Sequence, residues 1–156
     1  MTSGPPTPRL GGTGWRVVRS AGADLGDTIE MRKQYHLRPG PGGLEAWDVD
    51  RLVELSADLP VVEVPLERLT DIETPYWFGA GDPPTVRAVV EHVRLIEAAD
   101  PRFPIILGAN GQVMDGMHRI ARALLAGQST IAAVQFSVDP APDFINCDPE
   151  DLPYPE

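Results

Sequence analysis

Lysine is almost missing from this chain: Lys33 stands alone beside twelve arginines. No Gly-x-x-x-x-Gly-Lys-Ser/Thr stretch exists, which excludes a P-loop and leaves arginine, histidine or backbone amides to hold any phosphate. Cysteine is equally scarce. Cys147 is the only one, which excludes an internal disulfide and a cysteine-rich zinc site and suits a reducing compartment. No apolar run approaches the ~20 residues of a membrane-spanning helix, and no N-terminal apolar segment resembles a signal peptide. The expectation is a cytoplasmic protein with no membrane partner. Bases are few as well: 13 against 23 acids, a formal charge of −10. That balance argues against a nucleic-acid backbone as the main partner. Aromatics make up only 6% of the residues.

What is present is enough for one domain with a core: 156 residues, 42% of them hydrophobic. The acidity is uneven. Residues 1–30 are balanced, 31–136 carry net −4, and 137–156 carry six acids and no base. The body is therefore only mildly acidic, which leaves room for a local basic pocket. Residues 1–14 are rich in Pro, Gly, Ser and Thr and are expected to be disordered. Trp15–Arg19 reads as a weak strand, and residues 1–30 as an extension. The compact domain is expected over 31–136, with 137–156 an irregular, proline-rich acidic tail.

Within the body, Lys33–Arg38 reads as an edge strand and Pro39–Gly43 as a loop. Trp47–Leu55 reads as a helix with Asp48 as a candidate cap, ended at Pro60. Val61–Leu66 reads as a strand, and Glu67–Tyr76 as a loop with a helical turn. Asp82-Pro83-Pro84 is a helix start, and the spacing of Val86, Val89, Val90, Val93 and Ile96 predicts a helix over 84–99. Phe103–Leu107 and Gln112–Met114 flank Asn110-Gly111, a strong hairpin signal. A helix over Gly116–Ala126 follows, with Gly127 at its C-terminal cap position, then a strand over Ile131–Phe136. The sum is a small α+β domain with a mixed sheet and about three helices.

The stretch with most chemistry is Asp115-Gly116-Met117-His118-Arg119, at a strand-to-helix junction. The N–H groups of a helix's first turn lack intrahelical partners, and the dipole there favours an anion. Glycine lets a phosphate approach the backbone, and arginine offers a planar fork of donors. Asp115 could cap the helix. Tyr76-Trp77-Phe78 reads chiefly as packing, with stacking on a nucleobase as the alternative. His36 and His92 are isolated; no zinc site is expected, and His92 reads as a surface or boundary residue.

The segment 61–136 resembles the ParB-like and sulfiredoxin-like superfamily. The matching pieces are VEVPLERL at 62–69, the helix 84–99, and PIILGANGQVMDGMHRIARALLAGQSTIAAVQF at 104–136. The turn at 115–119 is closest to the Asp-Gly-His-His-Arg of the superfamily's free serine kinases. The resemblance implies nucleotide binding by Gly116, Met117, His118 and Arg119, with ATP or ADP and Mg²⁺, and CTP as a further candidate. Met117 stands where sulfiredoxins carry their cysteine, and a thioether forms no thiolate, so that reaction is disfavoured. A ParB partition protein is disfavoured too, since only an acidic, proline-rich tail of about 20 residues follows where that family carries a helix-turn-helix. The serine-kinase resemblance implies a base at Glu73, or at Asp115, acting on a small hydroxylated metabolite. The alternatives are a non-catalytic nucleotide-sensing or interaction module and, more weakly, a DNA-associated protein.

Overall fold

Alternation and turn chemistry set the elements. A computed structural model describes residues 34–79 and 83–153, together with the backbone of 13–14, 17–19 and 29–31. The expected disorder of residues 1–14 otherwise lies outside the described residues. In chain order the elements begin with β1 (Thr13–Gly14), β2 (Val17–Arg19), β3 (Ile29–Met31), β4 (Tyr35–Gly40), β5 (Gly43–Asp48) and α1 (Val49–Ser56). They continue with β6 (Val62–Pro65), two 3₁₀ turns (Leu66–Arg68 and Thr70–Glu73), α2 (Val86–Ala98), β7 (Ile105–Leu107) and β8 (Val113–Asp115). The last are α3 (Met117–Leu125), β9 (Thr130–Gln135), β10 (Phe144–Ile145) and a 3₁₀ turn at Pro149–Asp151. The protein is thus a small α+β domain with three helices and a mixed sheet among the described residues.

The strands form a sheet in the order β6-β9-β7-β8, another in the order β1-β4-β5-β10, and the ribbon β2-β3. In the β6-β9-β7-β8 sheet only β7 and β9 are parallel. Parallel neighbours need a crossover, which here consists of β8 and α3. Both faces of this sheet are covered, and its side chains alternate accordingly. Ile105, Leu107, Val113 and Ala133 pack with Met117, Ile120 and Ala123 of α3. Ile106, Met114, Val134 and Phe136 pack with Leu52 of α1 and Trp47 of β5.

Several boundaries differ from the sequence expectation. Trp47 belongs to β5, where its ring joins the core, so α1 starts only after Asp48. Asp48 is the cap, in extended backbone, with Oδ1 accepting from Asp50 N at 3.0 Å. Pro39–Gly43 is not one loop: Pro39 and Gly40 end β4, Gly43 starts β5, and the two strands form a hairpin. Helix α2 is capped by Thr85, whose Oγ1 accepts from Ala88 N, so it begins at Val86, after the expected prolines.

The acidic segment 137–153 does not hang free. Phe144–Ile145 pairs with β5, Leu152 is buried, and Trp47 Nε1 donates to Pro140 O at 2.8 Å. Arg51 pairs with Asp143 at 2.6 Å, and Tyr35 OH donates to Pro153 O at 2.6 Å. Most of these bonds use backbone carbonyls, and a carbonyl has no signature in composition.

The edge strand β8 is also covered. Val113 N donates to Asp71 Oδ2 at 2.8 Å, and Tyr76 OH donates to Val113 O at 3.2 Å. Loop 70–78 therefore satisfies both backbone groups of an otherwise open edge residue.

Candidate functional site

The stretch Asp115–Arg119 is built by the end of β8 and the start of α3. Asp115 closes β8 opposite Ile106. Gly116 is the N-cap residue of α3, at φ +112°, a conformation that glycine adopts without cost. A Cβ there would sit 2.6 Å from Ile105 Cγ2 and 2.9 Å from Arg119 Nη2. Glycine is therefore required twice over, by the backbone angle and by the Ile105 side chain packed against it.

No side chain caps α3. Asp115, one of whose expected roles was that cap, instead accepts from Arg119 Nη2 at 2.7 Å, with both side chains 16% exposed. The pair spans one helical turn. An arginine fork held by one carboxylate still has donors to present to a second anion.

All five residues border one open cleft of about 490 Å³. Its opposite walls come from elements far away in the chain: Gln34 before β4, Val49 and Asp50 at the start of α1, Leu95 and Ala98 at the end of α2, and Ala99, Asp100 and Phe103 after it. Phe103 is exposed in a turn, not part of β7 as the sequence suggested. Among the described residues Arg119 is the only Arg or Lys on the lining, and Asp100 is held by Arg102 in a two-oxygen pair at 2.7–3.1 Å. No sequence signal could have found Gln34, Asp50 and Phe103, since only the packing of α1 and α2 brings them together.

His118 is placed differently from its expected role as a donor to the anion. Its Nε2 lies 3.0 Å from Nδ1 of His92 on α2. Both rings lie nearly parallel to Trp77, with centroids 4.4 Å and 4.7 Å from it, and Phe78 meets His92 edge-on. Burial pushes His118 down to about 3, helped by His92 and Arg119, and burial likewise pushes His92 down to about 4. At neutral pH the pair is uncharged, one ring donating and the other accepting. His118 thus joins α3 to α2 and brings no positive charge to the cleft. His92, expected as a surface or boundary residue, is buried. Trp77 and Phe78 pack on this pair, in line with the packing reading of the aromatic cluster. Trp77 Nε1 is buried without a hydrogen-bond partner among the described residues.

Met117 is buried against Ile105 and Ile120 while its end of the helix borders the cleft. Glu73 is exposed in the second 3₁₀ turn and does not line the cleft. Its neighbour Asp71 is the carboxylate of that turn with a defined task, the bond to β8.

Among the described residues no three His, Cys, Asp or Glu side chains converge as a metal site. Mg²⁺ carried on phosphates requires only one or two protein carboxylates, and Asp115 is the carboxylate at the cradle that could provide one. Among the described residues no helix is long and apolar enough to cross a membrane. Comparison of the chain with protein-family models, with curated proteins and with solved structures gave no match.

Proposed function

We propose that this chain is a nucleotide-binding protein of the ParB/sulfiredoxin-like type, holding the phosphates at the start of α3. The observation that carries this reading is Gly116 at φ +112° beneath the Arg119 guanidinium, at the floor of a cleft of about 490 Å³. Backbone amides, the helix dipole and a charge-assisted arginine pair converge there on one anion. ATP or ADP with Mg²⁺ is the first candidate ligand and CTP the next. The reading carries a cytoplasmic location with it.

The reaction this arrangement supports is phosphoryl transfer to a small hydroxylated metabolite. The substrate oxygen forms a bond to the terminal phosphorus, the bond from phosphorus to the bridging oxygen breaks, and the hydroxyl proton passes to a carboxylate. Bound Mg²⁺ would neutralise charge on the phosphates. Asp115 borders the cleft, so it is the better placed of the two proposed bases; Glu73 would have to reach in from an exposed turn. The position of Glu73 favours a second reading, a nucleotide sensor that turns nothing over.

Calorimetry with ATP, ADP and CTP, with and without Mg²⁺, tests the binding. Arg119→Ala is expected to weaken it by about 10- to 100-fold, the range for a hydrogen bond to a charged group. Equal affinity of variant and wild type would remove Arg119 from the site. Nucleotide consumption with a panel of amino acids and hydroxylated metabolites separates the two readings. Binding without turnover by any of them leaves the sensor.

A further inference from the structure

Helix α2 is apolar on two opposite faces. His92 and Leu95 point to the core and are buried. On the other side Val86, Val89, Val90 and Val93 are exposed, Val86 by 82% and the others by 44% each. They fall at i, i+3, i+4 and i+7, one continuous stripe. A groove of about 350 Å³ runs along it, lined by Val86, Val90, Arg87, Glu91 and Arg94. Solvent-facing helix positions are normally polar, and a run of four valines there marks a contact surface.

We infer that this stripe is a homodimer contact in which α2 packs antiparallel against α2 of a second copy, about a dyad at the level of His92. Self-complementarity selects this occupant. In an isologous antiparallel pair, positions equidistant from the dyad meet, and each flank of the helix faces the same flank of its partner. With about 100° per residue, Val90, Glu97 and Arg87 share one flank, and Val89 and Ile96 share the other. A dyad near His92 then sets Val90 against Val93 of the second copy and Val89 against Ile96. In the same register Arg87 meets Glu97. These pairs agree on one dyad to within about half a residue, with Arg94 on the same flank facing Val90 of the second copy. Among the described residues the side chains of Arg87 and Glu97 make no ion pair or hydrogen bond, so both are available. β-Branched residues along a seam are stiff and lose little freedom on packing.

The contact is small, since α2 has 13 residues and spans about 20 Å. Such an area belongs with weak interfaces, so association is expected at tens to hundreds of micromolar and opposed by the charge of −10 on each copy.

Sedimentation equilibrium from about 10 μM to about 1 mM, on the full chain, is the test. Monomer and dimer in exchange are expected. Val90→Glu is expected to abolish the dimer. Arg87→Glu alone and Glu97→Arg alone are each expected to weaken it about tenfold, since two symmetric pairs become like-charged. The double variant Arg87→Glu/Glu97→Arg is expected to restore wild-type association. All these positions are exposed, and unchanged thermal unfolding verifies that each variant folds. A monomer at every concentration overturns the inference. So does a dimer that either single charge reversal leaves intact, or one that the double variant fails to restore.

Discussion

His36 makes the sharpest claim about this fold that a solution experiment can check. It sits in β4 with its ring tilted over Trp47 at 5.6 Å, it is 3% exposed, and neither ring nitrogen has a hydrogen-bond partner among the described residues. Burial, aided by the nearby Arg38 and opposed by Asp139, pushes it from 6.5 down to about 4. The folded state therefore resists a proton that the unfolded chain accepts. This contribution is fully present above the unfolded value of 6.5 and is lost as pH falls from there toward 4. Between those values the unfolded chain gains at most about 1.4 kcal/mol per pH unit from this residue. Lowering pH from about 7 to about 5 should thus cost about 2 kcal/mol through His36 alone. His36→Leu removes both the titration and two unpartnered polar atoms. At neutral pH the variant is expected to be as stable as the wild type or more so, since burying an unsatisfied nitrogen costs about 1–3 kcal/mol. Urea unfolding of both proteins at the two pH values reads the result. His92 and His118 titrate in both proteins, so the difference between the two pH dependences isolates His36. If His36→Leu loses as much stability on acidification as the wild type, His36 is not held neutral and the burial argument fails.

Other predictions follow the same logic. Gly116→Ala forces a Cβ onto Ile105 and a positive φ on alanine, and is expected to cost at least about 2 kcal/mol in chemical unfolding; a loss under about 0.5 would mean the turn relaxes freely. Asp71→Ala strands the buried-edge amide of Val113 and should destabilise by about 1–3 kcal/mol; hydrogen exchange at Val113 should accelerate with it, and unchanged protection would discount the edge-cover role. Asp115→Asn frees Arg119 from its carboxylate, so metal-free nucleotide is expected to bind more tightly in calorimetry; weaker metal-free binding would show that Asp115 supports the arginine and does not compete with the ligand. Glu73→Gln is expected to leave nucleotide affinity unchanged, because the side chain is off the cleft lining; a clear loss would bring the second 3₁₀ turn into the site.

Much of the body was legible from local rules. The 105–135 region has strong punctuation: Asn110-Gly111 makes the hairpin, with Gly111 at φ +86°, and Gly127 at φ +71° ends α3. Continuous apolar runs such as Ile105–Leu107 were strong there because that sheet is buried on both faces. The signal was weaker around β5. Trp47 suited a helix start by spacing but lies in a strand, because its indole has a core to fill and a carbonyl at Pro140 to bind. α2 misled in another way. Its valines gave the helix correctly while pointing away from the core, and the isolated His92 faces inward together with Leu95.

For the site, the sequence by itself determined the chemistry of one stretch: an aspartate, a glycine, a histidine and an arginine where a strand turns into a helix. Short-range rules are sufficient for that, since φ, capping and the helix dipole act within a few residues. Only the tertiary structure decided what those residues do. It tied Asp115 to Arg119, withdrew His118 into a neutral pair with His92 under Trp77, and left Glu73 outside the cleft. The last two of those outcomes depend on desolvation and on elements tens of residues away, and such burial is a property of the packed molecule that no local pattern encodes.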